Sequence, residues 1–172
     1  MLDVTVKGSE DLRRMARALR QADRVDLRRN LGKAMRRAGK PTLDAVKKSA
    51  EDIKTTGFRK PGARHPFEKV VEAHGTRRRI AEAATLDVRV EEDNPRVRFR
   101  IAEAKLPENL RSMPRHFDSG KPWRHPVLGN RNAWVSQTAD PWFWPPIRDN
   151  IKTFRAEIDR ALDETREMLE RA

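Results

Sequence analysis

Four histidines, His65, His74, His116 and His125, are the side chains best suited to hold a metal or move a proton, but no two stand three or four residues apart, the spacing that places two imidazoles on one helix face. Each precedes Pro, Gly or Phe in loop-like sequence. Gly57 and Gly62 have the separation that opens a phosphate-binding loop, yet Ala63 stands where the lysine is needed and no strand pattern precedes them. None of Ser9, Ser49, Ser112, Ser119 and Ser136 lies in a G-x-S-x-G turn, and no glycine-rich dinucleotide fingerprint occurs. The carboxylates Asp149, Glu157, Asp159, Asp163, Glu164, Glu167 and Glu170 intermix with Arg and Lys at helical spacing. That pattern belongs to a solvated helix face with i,i+4 pairs worth a few tenths of a kcal/mol, not to a dry acid/base pair. The chain has no cysteine, which excludes disulfides, thiolate zinc ligands and cysteine nucleophiles. The expectation is a protein that is not an enzyme and uses no cofactor or metal.

What remains is recognition chemistry. All four tryptophans lie between positions 123 and 144, and Trp123, Trp134, Trp142, Phe143 and Trp144 stand near Arg124 and Arg131. Such a cluster can stack on bases, cover a sheet or anchor a protein interface; the surrounding prolines favour packing or an interface. The triplet Arg77-Arg78-Arg79 suits DNA phosphates, an acidic partner or water alike. The formal net charge is +12 on 172 residues, unevenly placed: residues 1–53, 54–81 and 94–131 each carry +6, whereas the last 26 residues are near neutral. This asymmetry favours a polyanion, nucleic acid first among them, although a basic host proteome or a solubility requirement gives the same total.

The elements that position these groups follow from periodicity. Leu2, Val4 and Val6 alternate with polar residues and predict a short strand, ended by Gly8 and Ser9 as a helix N-cap. Leu12, Met15, Ala16 and Leu19 predict a helix. Apolar positions from Leu27 to Ile53 keep their phase through Gly39-Lys40-Pro41, which predicts one long helix bent at Pro41. Residues 55–66 read as a basic loop, TRRRIAEAA as a short helix from Thr76, and Leu86-Val88-Val90 with Val97-Phe99-Ile101 as a β-hairpin turning at Asn94-Pro95. Arg96, Arg98 and Arg100 would line its edge and discourage pairing with other strands. Residues 103–131 read as a second extended basic loop, Ala133-Trp134-Val135 as a third or fourth strand, and 146–171 as a C-terminal helix with a narrow apolar seam from Ile147 to Leu169. The fold class is α+β, with a small, mostly antiparallel sheet packed by a long kinked helix and a long C-terminal helix. Chain length suits one domain, residues 1–172, and no apolar run suggests a signal peptide or membrane span.

This order of elements, with Ala38-Gly39-Lys40-Pro41, Trp123-Arg124-His125-Pro126-Val127-Leu128-Gly129-Asn130-Arg131, Trp134-Val135-Ser136-Gln137 and Pro141-Trp142-Phe143, resembles the neck or tail-completion proteins of long-tailed double-stranded DNA bacteriophages. Among these it is similar to the "gene product ten-like" minor tail family, related to minor tail protein Z of lambda-like phages. The resemblance runs over nearly the whole chain, apart from the 55–66 loop and residues 103–121. The resemblance implies a structural virion protein, made in the host cytoplasm, that forms a homo-oligomeric ring, six-fold by family resemblance, at the head-tail junction. Double-stranded DNA would pass through that ring without sequence recognition. Neighbours would be connector or stopper proteins, the tail terminator and the tail tube, with no membrane partner.

Under that reading the subunit or partner interface falls to Trp123, His125, Pro126, Leu128, Gly129, Asn130, Arg131, Trp134, Trp142, Phe143 and Trp144. Contact with channel DNA or an acidic partner falls to Arg59, Lys60, Arg64, Arg77, Arg78 and Arg79. A tail terminator or head-tail adaptor is the alternative role, and a non-specific nucleic-acid-binding protein the third.

Overall fold

The structure is a computed structural model that describes residues 2–7, 10–54, 75–90, 95–127 and 130–171. The elements in chain order are β1 (Asp3–Lys7), α1 (Glu10–Gln21), α2 (Val25–Glu51), α3 (Thr76–Ala83), β2 (Ala84–Arg89), β3 (Arg96–Ile101), α4 (Met113–Asp118), β4 (Trp123–Val127), β5 (Asn130–Gln137) and α5 (Trp144–Glu170). The expected loop 55–66, the N-cap at Gly8 and Ser9, and the Asn94 side of the hairpin turn lie outside the described residues.

The α+β class is as expected, and so is the principal hairpin. Alternation in β3 points Val97, Phe99 and Ile101 inward, all buried, and Arg96, Arg98 and Arg100 outward. The arginines are not on an edge, however. Strand order is β1-β3-β2, both pairs antiparallel, so β3 is central and Phe99 faces Val4 on one side and Leu86 on the other. The edge expectation failed because alternation reports which face a residue takes but not which strand it pairs with; the second partner comes from the chain's beginning. Outward-facing Arg98 instead pairs with Asp3 of β1, tying the first strand to the sheet.

Helix α2 runs unbroken through Pro41, whose exposed ring removes one backbone donor, while Leu27, Leu31, Met35, Val46 and Ala50 stay buried on one face. It packs against α5 and the inner face of the sheet. Gly39 makes that approach possible: a Cβ there would stand 2.7 Å from Leu86 Cδ2 and 3.4 Å from Phe154 Cε2. On α5, Ile147, Phe154, Ile158, Ala161, Leu162 and Thr165 are buried, and Phe154 meets Phe99 edge-on at 5.6 Å. The seam fades at its end, where Met168 is 49% exposed. Buried Thr165 donates its hydroxyl to the Ala161 carbonyl at 2.7 Å, so that no donor is stranded.

Residues 103–131 do not form the extended loop that their Pro, Gly and Asn content suggests. They hold two 3-10 turns (Glu103–Lys105 and Glu108–Leu110), helix α4 and strand β4. The 3-10 turns bury none of their own side chains, Leu106 between them is buried, and α4 buries Pro114 and Phe117, so the segment leaves no periodicity to read. β5, the expected further strand, does not join the main sheet but pairs with β4 alone. The C-terminal helix begins at Trp144, two residues before the expected start, with prolines in its first turn.

Candidate functional site

The aromatic segment is divided by the fold into rings that hold structure and rings that face solvent. Trp123, at the start of β4, is stacked on His116 of α4 at 4.8 Å and 18°, lies against His125 at 4.6 Å and 33°, and receives Phe117 edge-on at 5.8 Å. Its indole nitrogen is buried without an acceptor. The indole therefore docks the β4–β5 hairpin onto α4 through ring contact, each such pair contributing about 0.5–1.5 kcal/mol beyond area burial. His125 donates from Nδ1 to the Pro126 carbonyl at 3.1 Å. Pro126 is half-buried opposite Trp134, and a register shift follows it.

Trp142 and Phe143 were expected at an interface and are not available to one. Each is 1% exposed. Asp118 Oδ1, at the end of α4, accepts from the Trp142 and Phe143 amides at 3.0 and 2.9 Å, and the Trp142 indole donates to the Pro114 carbonyl at 3.2 Å. Their polar groups being satisfied inside, both rings can enter the core. Burial pushes the Asp118 carboxyl above its ordinary value, against the opposing effect of the amides it accepts. Asp140 adds a second tie, its carboxylate accepting from the Lys54 amide at 2.7 Å and its own amide donating to the Phe117 carbonyl at 2.9 Å.

Two tryptophans remain outward: Trp134 on β5 is 51% exposed and Trp144 at the start of α5 is 54% exposed. Trp144 borders a groove of about 800 Å³ between β1 and α5, with Val4, Pro141, Ile147 and Ile151 in its wall and Arg148 and Arg155 at its rim. Leu128 and Gly129 lie outside the described residues; Asn130 and Arg131 are placed on β5 by their backbone. The structure thus brings Trp123, His125, Pro126 and Trp134 together on one hairpin, sets Trp144 on a different element and removes Trp142 and Phe143 to the interior.

Of the basic residues expected to face an anion, Arg59, Lys60 and Arg64 lie outside the described residues. Arg77, Arg78 and Arg79 form the first turn of α3, with Arg77 and Arg78 exposed and Arg79 half-buried. Arg78 is paired with Glu82 at 3.1 Å. Cations at a helix N-terminus oppose the macrodipole by about 0.3–1 kcal/mol each at exposed sites, so this triplet does not serve the helix. Sequence reasoning missed a further basic group, Arg28, Arg29 and Arg36 of α2 with Arg89 of β2, around one cleft. It also missed Asp118; the Ser112-Met113-Pro114 start of α4 was the available signal for the helix that carries it.

Among the described residues, no group of three or more His, Asp or Glu side chains is placed to hold a metal, and no helix is long and apolar enough to cross a membrane. Comparison with protein-family models, with curated proteins and with solved structures finds no match to this chain.

Proposed function

We propose that this chain is a non-enzymatic structural subunit of a long-tailed bacteriophage virion, assembling into a ring at the head-tail junction through which DNA passes. The observation that carries the reading is the β4–β5 hairpin, which packs extensively only within itself and presents a half-exposed tryptophan at position 134. An isolated two-stranded hairpin is marginal in water, so a partner surface is the natural completion of this one. A closed ring needs two different patches on each subunit, and the apolar groove beside Trp144 supplies a second one, chemically distinct from the hairpin. The motif resemblance and the excess of basic side chains support the same reading.

Negative-stain imaging of virions carrying a labelled copy of the protein tests it. Label at the head-tail junction is the expected result; label elsewhere overturns the proposal. Deleting residues 123–131 is expected to abolish incorporation into tails, and unchanged incorporation would remove the hairpin from the interface.

A further inference from the structure

Arg28, Arg29 and Arg36 of α2 and Arg89 of β2 line a cleft of about 580 Å³ between the first half of α2 and the outer edge of the sheet. Among the described residues no acidic side chain lines it; Glu91, Glu92 and Asp93, which follow Val90 in the sequence, lie outside the described residues. Arg89 is held to Asp87 at 3.4 Å, whereas among the described residues no carboxylate stands within ion-pair reach of Arg28, Arg29 or Arg36. Arg28 Nε is buried with no hydrogen-bond partner. Arg29, Arg36 and Arg89 are exposed and half-buried Arg28 keeps one buried donor without a partner, so an anion seated here meets solvated guanidinium groups and satisfies that donor.

The chemistry selects the anion. Every cation in the cleft is a guanidinium, whose planar fork matches phosphate oxygens two at a time, as an ammonium does not. Arg29 and Arg36 stand about 10 Å apart along the helix axis, which spans more than one phosphate of a strand rising about 3.4 Å per nucleotide. Gly32 lies between them and keeps the floor low: a Cβ there would stand 3.6 Å from Arg36 Nη1 and 3.7 Å from Val90 Cγ2, so it fits, while any longer side chain would enter the cleft. Among the described residues the lining offers neither a side-chain amide nor an aromatic face to read a base.

We propose that this cleft is a phosphate-binding site that seats the sugar-phosphate backbone of nucleic acid without reading its sequence. The site is separate from the arginine triplet of α3, and the proposal stands whether or not the chain is a neck subunit.

The test measures binding of the full chain to a short labelled DNA duplex over a salt series, with inorganic phosphate titrated separately and followed by thermal shift. Three variants are compared: Arg29→Gln/Arg36→Gln, Gly32→Leu, which fills the cleft at constant charge, and Lys48→Gln/Lys152→Gln, which removes two exposed charges elsewhere. Arg29 and Arg36 are exposed, so their variant should melt like the wild type. The arginine variant is expected to bind DNA about tenfold or more weakly, with its salt slope reduced by about 2. Gly32→Leu should lose DNA affinity as well, and the lysine control should stay within about twofold. Equal losses in the arginine and lysine variants would assign binding to net charge and overturn the site. Loss of phosphate stabilisation with unchanged DNA binding would leave a free-phosphate site and overturn the seating of a backbone.

Discussion

The β2–β3 and β4–β5 hairpins are both antiparallel, yet they are held in opposite ways. The first alternates apolar and charged residues and lays Val88, Val97, Phe99 and Ile101 against α2 and α5, so its stability is spread over one covered face. Among its described side chains the second buries only Gln137, and it docks through one indole between α4 and its own strand. A hairpin of the first kind is part of the core. One of the second kind can open locally at modest cost without unfolding the core.

This contrast predicts the largest effect for Phe154→Ala. The ring is 2% exposed and meets Phe99, so truncation should cost about 3–5 kcal/mol and be read as a lowered denaturant midpoint common to the whole chain. Trp123→Ala should act locally. Losing the two ring contacts to α4 removes about 1–3 kcal/mol of hairpin attachment, seen as lost amide-exchange protection across residues 123–137 with a nearly unchanged global midpoint. If the global midpoint fell as far as in Phe154→Ala, the two hairpins would be one cooperative unit and the contrast would fail.

Asp118 joins the two regions. Removing its carboxyl in Asp118→Ala strands the Trp142 and Phe143 amides and should cost about 1–3 kcal/mol, whereas Asp118→Asn keeps an acceptor in the same place. The asparagine variant also tests the charge. Burial raises the folded-state value above the ordinary 3.8, so stability is greatest below that value and falls as pH rises through the higher one. Asp118→Asn should therefore match or exceed the wild type at neutral pH. A large loss there would mean that the ionised form is needed.

The same contrast explains what could be read from sequence. Period-two and period-3.6 patterns arise where a face is covered, so β1, α1, α2, α3, β2, β3 and α5 were legible from residues such as Leu31, Phe99 and Phe154. Helix α4 has six residues, too few for a period, and its role depends on Asp118 reaching amides 24 and 25 residues away. That capture takes Trp142 and Phe143 into the core, which composition alone could not separate from an exposed cluster. Strand order was hidden for a related reason: the partner of Arg98 is Asp3, 95 residues earlier. The arginine cleft was hidden because positions 28, 29 and 36 read locally as an ordinary solvated helix face; its convergence appears only once β2 brings Arg89 beside them.

The smallest effect concerns the edge of the main sheet and has the opposite pH sign to Asp118. Hydrogen bonding from Arg98 holds the Asp3 carboxyl below the ordinary 3.8, despite some opposing burial. A lowered folded-state value means that the stabilisation is complete above 3.8 and is lost as pH falls through the lower value. Asp3→Asn should remove this acid-dependent part and leave a flatter stability curve below 3.8, with β1 amides exchanging faster at neutral pH. Because Asp3 and Arg98 are half-buried on the outward face of the β1–β3 pair, the change is expected to be confined to β1 and its register with β3. Acid unfolding of Asp3→Asn and Asp118→Asn measured side by side should therefore diverge on either side of 3.8. Parallel curves would show that neither carboxylate senses its own region.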